Sequence, residues 1–389
     1  MNTAFFLLSM TVVAVISDTM LIPFYPQFFA QRFGMESPEH VGAYLAAMSA
    51  TVIVALPIWA RVARKLAVIK LLVVTQIAAG LLCLYCMHIE SLAMFWLVSL
   101  CMIACKASYL LIYPFMMRLQ KPERHVFMAS LLSIVIHFGG IFGAIIGGVV
   151  LDRWSVEDVF LFMAAGDAIQ TLICIYLLCS GKVTQKPDEA QVLGHGASSR
   201  SRRPLYLLGI AMMLFYFSAY LVRPFFAEHW QLVSGIDNTT VSGLAFAIPA
   251  GMALLALWSN HAASRSHLLL NRPLPCLMLG ALGLLLQAWP QPVAIVLGRC
   301  LFGWAMFQVT VHLDVLLFQR SKPDDYARDY SLINLFQNLG VIGSSFTAGS
   351  LVASQGLSAP FLLAALGFVF SVLSYPLLCH VSSKKAVTA

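Results

Sequence analysis

Long apolar runs alternate along the chain with short breaks that are polar or carry Gly and Pro, and the runs have the length a bilayer demands. A hydrocarbon core about 30 Å thick needs roughly 20 apolar residues per helix. Runs of that order occupy residues 4–33, 39–63, 66–88, 91–118, 124–151, 156–180, 204–231, 240–262, 266–288, 291–319, 326–353 and 358–380, which predicts twelve transmembrane helices. The long polar break at 181–203, rich in Ser, Lys and Arg, sets six helices on either side. The expected organisation is a six-helix bundle over 1–180, a linker over 181–203 and a second six-helix bundle over 204–389. The opening MNTAFFLLSMTVVAVIS lacks a cationic region and runs on through Asp18, so it reads as a retained helix and not a signal peptide.

The breaks give the orientation. Of the 24 Lys and Arg residues, 19 fall on one side, at 61–70, 118–124, 182–203, 265–272, 320–328 and 384–385. The opposite breaks hold only Arg32 and Arg153 among cations, against Glu36, Glu39, Glu90, Asp152, Glu157, Asp158, Glu228 and Asp237. Cytoplasmic loops retain cations, so the first side and both termini are expected in the cytoplasm. Composition sharpens the class: 60% of residues are apolar and 11% charged, well below the quarter or so usual in soluble chains. That excludes a secreted scaffold, a disordered chain and a nucleic-acid binder, and much of the net charge of +7 becomes a topology signal. The nine cysteines all lie in apolar runs without metal-knuckle spacing, so neither disulfides nor a metal or other cofactor are expected. The expected partners are the lipid bilayer, a small molecule and protons, with the protein a monomer.

An offset of 201 residues aligns the chain with itself. Pro23-Phe24 meets Pro224-Phe225, Gly34 meets Gly235, Gly42 meets Gly243, Lys121-Pro122 meets Lys322-Pro323, Gly139 meets Gly340, Gly148 meets Gly349, and Phe160-Leu161 meets Phe361-Leu362. Chance matches in apolar sequence favour Leu and Ala, so matched Gly, Pro and loop residues mark a repeat. Two six-helix halves in parallel orientation resemble the major facilitator transporters.

Local motifs carry the same resemblance. PIWARVARKLAVIK, residues 57–70, is in phase with the family's Pro-x-x-Gly-x-Leu-x-Asp-Arg-x-Gly-Arg-Arg loop. Pro57 and Lys65 match, whereas Ala60 and Ala67 stand at the glycines, Arg64 at the acid, and Val68 and Ile69 at arginines. In the fifth span, Gly139, Gly143, Ala144, Gly147 and Gly148 resemble the Gly-x-x-x-Gly-Pro-x-x-Gly-Gly signature of the family's antiporters, with Ala for Pro. LGRCLFG, residues 297–303, resembles an Arg-x-x-x-Gly element usually found in the fourth span, where Val98 now stands. The resemblance implies an all-α membrane protein of two pseudo-symmetric six-helix bundles, with spans 1, 4, 7 and 10 lining a central cavity. It also implies a conformational role for Gly139, Gly143, Gly147 and Gly148 as contacts between the halves. The short IPFYPQFF, residues 22–29, faintly resembles bacterial exporters of carboxylate siderophores.

Six charged residues lie deep in apolar runs: Asp18, Lys106, Asp167, Arg223, Arg299 and Asp314. Each is costly in hydrocarbon and must face protein or water. Five of them fall on the spans that the resemblance places around the cavity. Helical spacing sets Tyr109 and Tyr113 on the face of Lys106, Tyr220 and Tyr216 on that of Arg223, and Ile22 and Tyr25 on that of Asp18. A cation flanked by tyrosines suits a polar organic anion, so Tyr25, Lys106, Tyr109, Tyr113, Tyr216, Tyr220, Arg223 and Arg299 are the expected substrate residues. Core packing is the competing reading for each tyrosine. Asp18, His137 and Asp314 are the expected proton carriers, with a packing role competing for His137. Asp167, on the sixth span, reads first as a buried structural hydrogen-bonding group. Asp314 and His312 read equally as a gate pair or as solvated residues at the inner mouth.

These features point to a proton-coupled secondary transporter, an antiporter working by alternating access in a bacterial inner membrane. Three deep cations against two cavity acids favour a small polar anionic metabolite, with a carboxylate siderophore the leading example. A multidrug exporter of the same family and a proton-symporting importer of an organic anion stay open. An ATP-driven pump lacks its phosphate loop, Gly-x-x-x-x-Gly-Lys-Ser/Thr, and an enzyme lacks clustered His or carboxylate ligands on any deep helix face. A receptor or scaffold would have no use for buried charges on four cavity spans.

Overall fold

In a computed structural model the described residues, 3–118, 125–180, 203–262, 272–321 and 326–383, are almost entirely helical and contain no strand. A chain with this many apolar residues must satisfy its backbone internally once in lipid, and the helix does so segment by segment. The helices are α1 (Thr3–Thr19), α2 (Tyr25–Phe33), α3 (Pro38–Val62), α4 (Val68–Cys86), α5 (Leu92–Lys106), α6 (Ile112–Arg118), α7 (His125–Arg153) and α8 (Asp158–Cys179). They continue as α9 (Arg203–Tyr220), α10 (Phe226–Ser234), α11 (Thr239–Ala262), α12 (Pro273–Ala288), α13 (Pro292–Arg320), α14 (Tyr326–Gln355) and α15 (Ala359–Ser383). Lys182, Lys186, Arg200 and Arg202 of the linker, Lys121-Pro122, Lys322-Pro323, Arg265 and Lys384-Lys385 lie outside the described residues.

Three of the expected spans are interrupted, and the interruptions have local causes. The first breaks after Thr19 and passes through a 3-10 turn, Ile22–Phe24, before α2. The seventh breaks between Tyr220 and Phe226. Pro23 and Pro224, matched in the repeat, stand in these breaks; proline has no N–H to donate and its ring clashes with the preceding turn. The short helices that follow both end on a left-handed glycine, Gly34 at φ 61° and Gly235 at φ 68°, where a residue with a Cβ would be strained. The fourth span tightens into a 3-10 turn, Ala107–Leu111, directly after Lys106.

Eight of the helical stretches are long and apolar enough to cross a membrane by length and composition, and Pro204–Tyr220, Pro273–Ala288 and Ala359–Leu373 are shorter apolar helices. α14 falls outside both groups, its apolar content diluted by Asn334, Gln337, Asn338, Ser344 and Ser345. Apolar side chains also cover outward faces. α4 buries Leu72, Ala79 and Cys83 while exposing Val74, Ile77, Leu81 and Leu84, the pattern of a helix that meets hydrocarbon on its outer side.

Two compact units emerge: Met1–Glu36 with Ala47–Gln191 and Asp237–Ala247, and Ser37–Ala46 with Val192–Ile236 and Ile248–Ala389. The start of α11 belongs to the first unit because Gly243 lies against the Ala144 backbone of α7, and Gly148 against Thr239 and Thr240. The start of α3 belongs to the second, with Gly42 against Ser345 and Gly349 of α14. Gly42 and Gly243, and Gly148 and Gly349, are repeat partners, so one small-residue contact is built twice.

Candidate functional site

In the first unit, α1 and α8 approach at Gly166, where a Cβ would collide with the Ser17 hydroxyl. That closeness brings Asp18, at the end of α1, beside Asp167 of α8. Lys106, the last residue of α5, reaches both. Its Nζ lies 2.8 Å from Asp167 Oδ1 and 3.2 Å from Asp18 Oδ1. Asp167 is fully buried and the Lys106 side chain 6% exposed, whereas Asp18 keeps 26% exposure. Asp167 Oδ1 also accepts from Gln170 Nε2 at 3.4 Å, and its Oδ2 from the Cys83 thiol at 3.5 Å. Burying an isolated ion costs several kcal/mol, and only such pairing with additional hydrogen bonds offsets it. With both acids ionised the three residues sum to −1.

Two of the tyrosines expected around these charges stand elsewhere, and the interrupted helices explain why. Tyr25 lies beyond the break after α1, so seven residues from Asp18 no longer return to one face. It is buried, stacked on Phe29 at 6.1 Å between ring centroids and edge-on to Phe28 at 6.5 Å, in a cluster with Phe33, Phe95 and Phe160. Tyr113 lies past the 3-10 turn, whose three residues per turn shift the register, and is 40% exposed. Tyr109 stays close enough for the charges of Asp18 and Lys106 to act on its hydroxyl.

The second unit holds a different cluster. Arg223 sits in the break between α9 and α10, its Cζ 5.1 Å from the centre of the Tyr220 ring. Tyr220 stacks on Tyr216 at 5.8 Å with 14° between planes, as four-residue spacing on continuous helix requires. Arg299 of α13 is buried with its Cζ 3.9 Å from the centre of the Phe226 ring, and the charge of Arg223 reaches it. The guanidiniums thus lie over aromatic faces, a favourable cation–π placement, while repelling one another. Tyr216 hydrogen-bonds the Thr310 side chain and lies within reach of Asp314. His312 and Asp314 are not joined as a gate pair: the His312 ring meets the Gln308 carbonyl at 2.8 Å. His137 lies on α7, two residues before Gly139, which faces Val15 of α1.

The glycine face of α7 is corrected as well. Gly139 faces Val15 and Gly143 faces Thr19 and Ile16, all on α1, while Gly147 faces the backbone of Met20 just past the end of α1, in the same unit. Gly148 alone of the four meets residues from the other sequence half, Thr239 and Thr240. Asp167 is the buried hydrogen-bonding group expected, with Lys106 as its partner, and Phe226, the ring beneath Arg299, is a residue that the sequence does not single out. A lone mid-span Lys in a six-helix half demands a buried acid, and that demand was the available signal for Asp167. Among the described residues no three His, Cys, Asp or Glu side chains converge as a metal site.

Comparison with solved structures returns the same architecture. The nucleoside transporter NupG superposes with a TM-score of 0.71 at 13% identity, covering 97% of this chain and 99% of that one. A bacterial homolog of the human lysosomal transporter Spinster, inward-facing and occupied, gives 0.74 at 13% identity over 97% and 96%. The human organic anion transporter TETRAN gives 0.69 at 13% identity over 95% and 98%. At such identities the likeness is one of fold. No curated protein sequence matches the chain. The family model of the Major Facilitator Superfamily matches residues 7–342, and with its long apolar helices, a 201-residue repeat and buried charges beside helix breaks, the chain belongs to that superfamily as a multi-pass membrane transporter of a small molecule.

Proposed function

We propose that the protein is a proton-coupled antiporter that exports a small polar anionic metabolite from the cytoplasm across a bacterial inner membrane by alternating access, acting as a monomer with both termini cytoplasmic. The observation that carries this reading is the separation of charge. The first unit holds a carboxylate exposed enough to exchange a proton, Asp18, beside a compensated Lys106. The second holds two guanidiniums on aromatic faces, Arg223 and Arg299, suited to an anion. A hydroxycarboxylate such as a carboxylate siderophore fits the pair, offering several oxygens to a planar fork.

This division revises the sequence-level charge count. With Asp167 included the deep set holds three cations and three acids, and the cation excess lies in the second unit, where Arg223 and Arg299 stand against Asp314. Lys106 is accordingly assigned to the proton side of the mechanism. The test is flux in proteoliposomes with labelled citrate as probe under an imposed pH gradient. Gradient-driven citrate antiport that Asp18→Asn abolishes, with citrate exchange retained, is the expected result. Citrate and proton moving in the same direction would make the protein an importer, and transport of tetraphenylphosphonium with none of citrate would make it a multidrug exporter.

A further inference from the structure

Asp167 is the most deeply placed member of the triad, and its surroundings differ from those of Asp18. Lys106 and Gln170 donate to its Oδ1 and Cys83 to its Oδ2. Three donors on one carboxylate hold it as an acceptor. Asp18 shares only the longer of the two Lys106 contacts and is the acid with exposed surface, 26% against 0% for Asp167. The groups facing Asp167 are Asp18 from α1, Cys83 from α4, Lys106 from α5 and Gln170 from its own helix, with Tyr109 of the 3-10 turn near the two charges. α7, on the far side of α1, brings glycines to that seam: Gly139, Gly143 and Gly147.

We propose that Asp167 is the fixed anchor of Lys106, and that the ammonium is shared with Asp18 only while Asp18 is ionised, so that the three residues form one proton site in which Asp18 gains and loses the proton and Asp167 sets how firmly it is held. On uptake, a proton from water bonds to an Asp18 oxygen, and Lys106 keeps its three protons and its hydrogen bond to Asp167. The cluster's charge passes from −1 to zero without any change of oxidation state. Lys106 is balanced by Asp167 in both states, so it is not an anion subsite. Asp167 is thus a positioning residue that acts through Lys106. The inference deepens the proton-coupled reading and rests on it.

The test is infrared titration of the purified full-length protein. Wild type is expected to show a carboxylic-acid C=O band that titrates with pH and is missing from Asp18→Asn. In Asp167→Asn that band persists, but its midpoint moves by about one pH unit or more, because Asp18 is left as the only carboxylate partner of the ammonium. Asp167→Glu returns it toward the wild-type midpoint. A purely structural Asp167 would alter thermal stability and leave the midpoint in place, and that result overturns the inference alone. A wild type with no Asp18 band overturns the proton site itself and this inference with it. Should Asp167→Asn fail to fold, Gly166→Val takes its place: it keeps all three charges, and its branched side chain set against Ser17 and Val13 forces α1 from α8, so an unmoved midpoint there is equally fatal.

Discussion

The Asp152 carboxylate, at the end of α7, accepts hydrogen bonds from both the backbone amide and the hydroxyl of Thr239, the first residue of α11. Its second oxygen does the same for Thr240, and Asn238 caps Val241 at 2.9 Å. The first three amides of α11, which have no partner within a helix, are therefore all satisfied. At the repeat-related start of α3 the Asn238 cap has a counterpart, Ser37 Oγ accepting from the His40 amide at 3.3 Å, but the carboxylate clasp has none: Ala353 stands where Asp152 would, and Pro38 has no amide to satisfy.

Asp152→Ala should therefore loosen one seam and leave its repeat partner intact. A lost helix cap costs about 1 kcal/mol, so the amides of Thr239 and Thr240 are expected to exchange hydrogen about fivefold faster. Hydrogen-exchange mass spectrometry reads this directly. Unchanged exchange there, or an equal change at the start of α3, would contradict the clasp.

The α7 glycines give a graded series. A Cβ at Gly147 would enter the Met20 backbone, whereas one at Gly140 meets nothing within 4 Å. Overpacking of this kind costs about 1–3 kcal/mol. Gly147→Ala should lower the detergent-phase melting temperature, Gly147→Leu should fail to accumulate as folded protein, and Gly140→Ala should be neutral. Folded, active Gly147→Leu would show that α1 and α7 separate readily.

Arg32 ties three segments together: it pairs with Glu157, and its Nη2 donates to the carbonyls of Met87 at 3.0 Å and Ile89 at 3.2 Å. Partial burial pushes the Glu157 carboxyl up, but a backbone amide, the Ser155 hydroxyl and Arg32 together hold it below its ordinary 4.5. A depressed carboxylate contributes stability above its unfolded-state value and loses it as pH falls through the folded one. Melting temperature should therefore drop as the pH is taken below about 4.5, and Glu157→Gln should flatten part of that drop while costing up to about 1 kcal/mol at neutral pH. An identical acid profile in the two proteins would remove Glu157 from the account.

The membrane class, the helical stretches and the repeat were legible because they depend on run length and on Gly and Pro, which act locally. Pro23 and Pro224 are visible as a matched pair, but periodicity does not show that they break the helices beside Asp18 and around Arg223, and it is the first of these breaks that sets Tyr25 in the Phe28–Phe29 cluster. Which face of α7 meets which neighbour was illegible for another reason. A helix apolar all round carries no moment to separate a lipid face from a protein face, so the contact of Gly143 with Thr19 needed the structure. The pairing of Lys106 with Asp167 lay between these cases: the need for an acid could be read, but not which of Asp18 and Asp167 would be closer.

The last prediction concerns the anion. Arg299 is buried against Phe226 and feels the charge of Arg223, which stands partly exposed over Tyr220. A carboxylate on Arg223 would therefore gain from both charges while displacing little protein structure, and charge-assisted hydrogen bonds of this kind contribute about 1.5–3 kcal/mol. Arg223→Ala is expected to weaken citrate binding between about tenfold and a hundredfold. Arg299→Met, which removes the rear charge and keeps apolar volume on Phe226, should weaken it by a smaller factor. Because Lys106 is held by Asp167 and Asp18 at 2.8 and 3.2 Å, changes at Asp167 should leave citrate affinity near wild type, so the two clusters separate in one calorimetric series. Undiminished citrate binding in both arginine variants, or tight binding of tetraphenylphosphonium with no response to citrate, would reject the anion site and move the protein to the class of cation exporters.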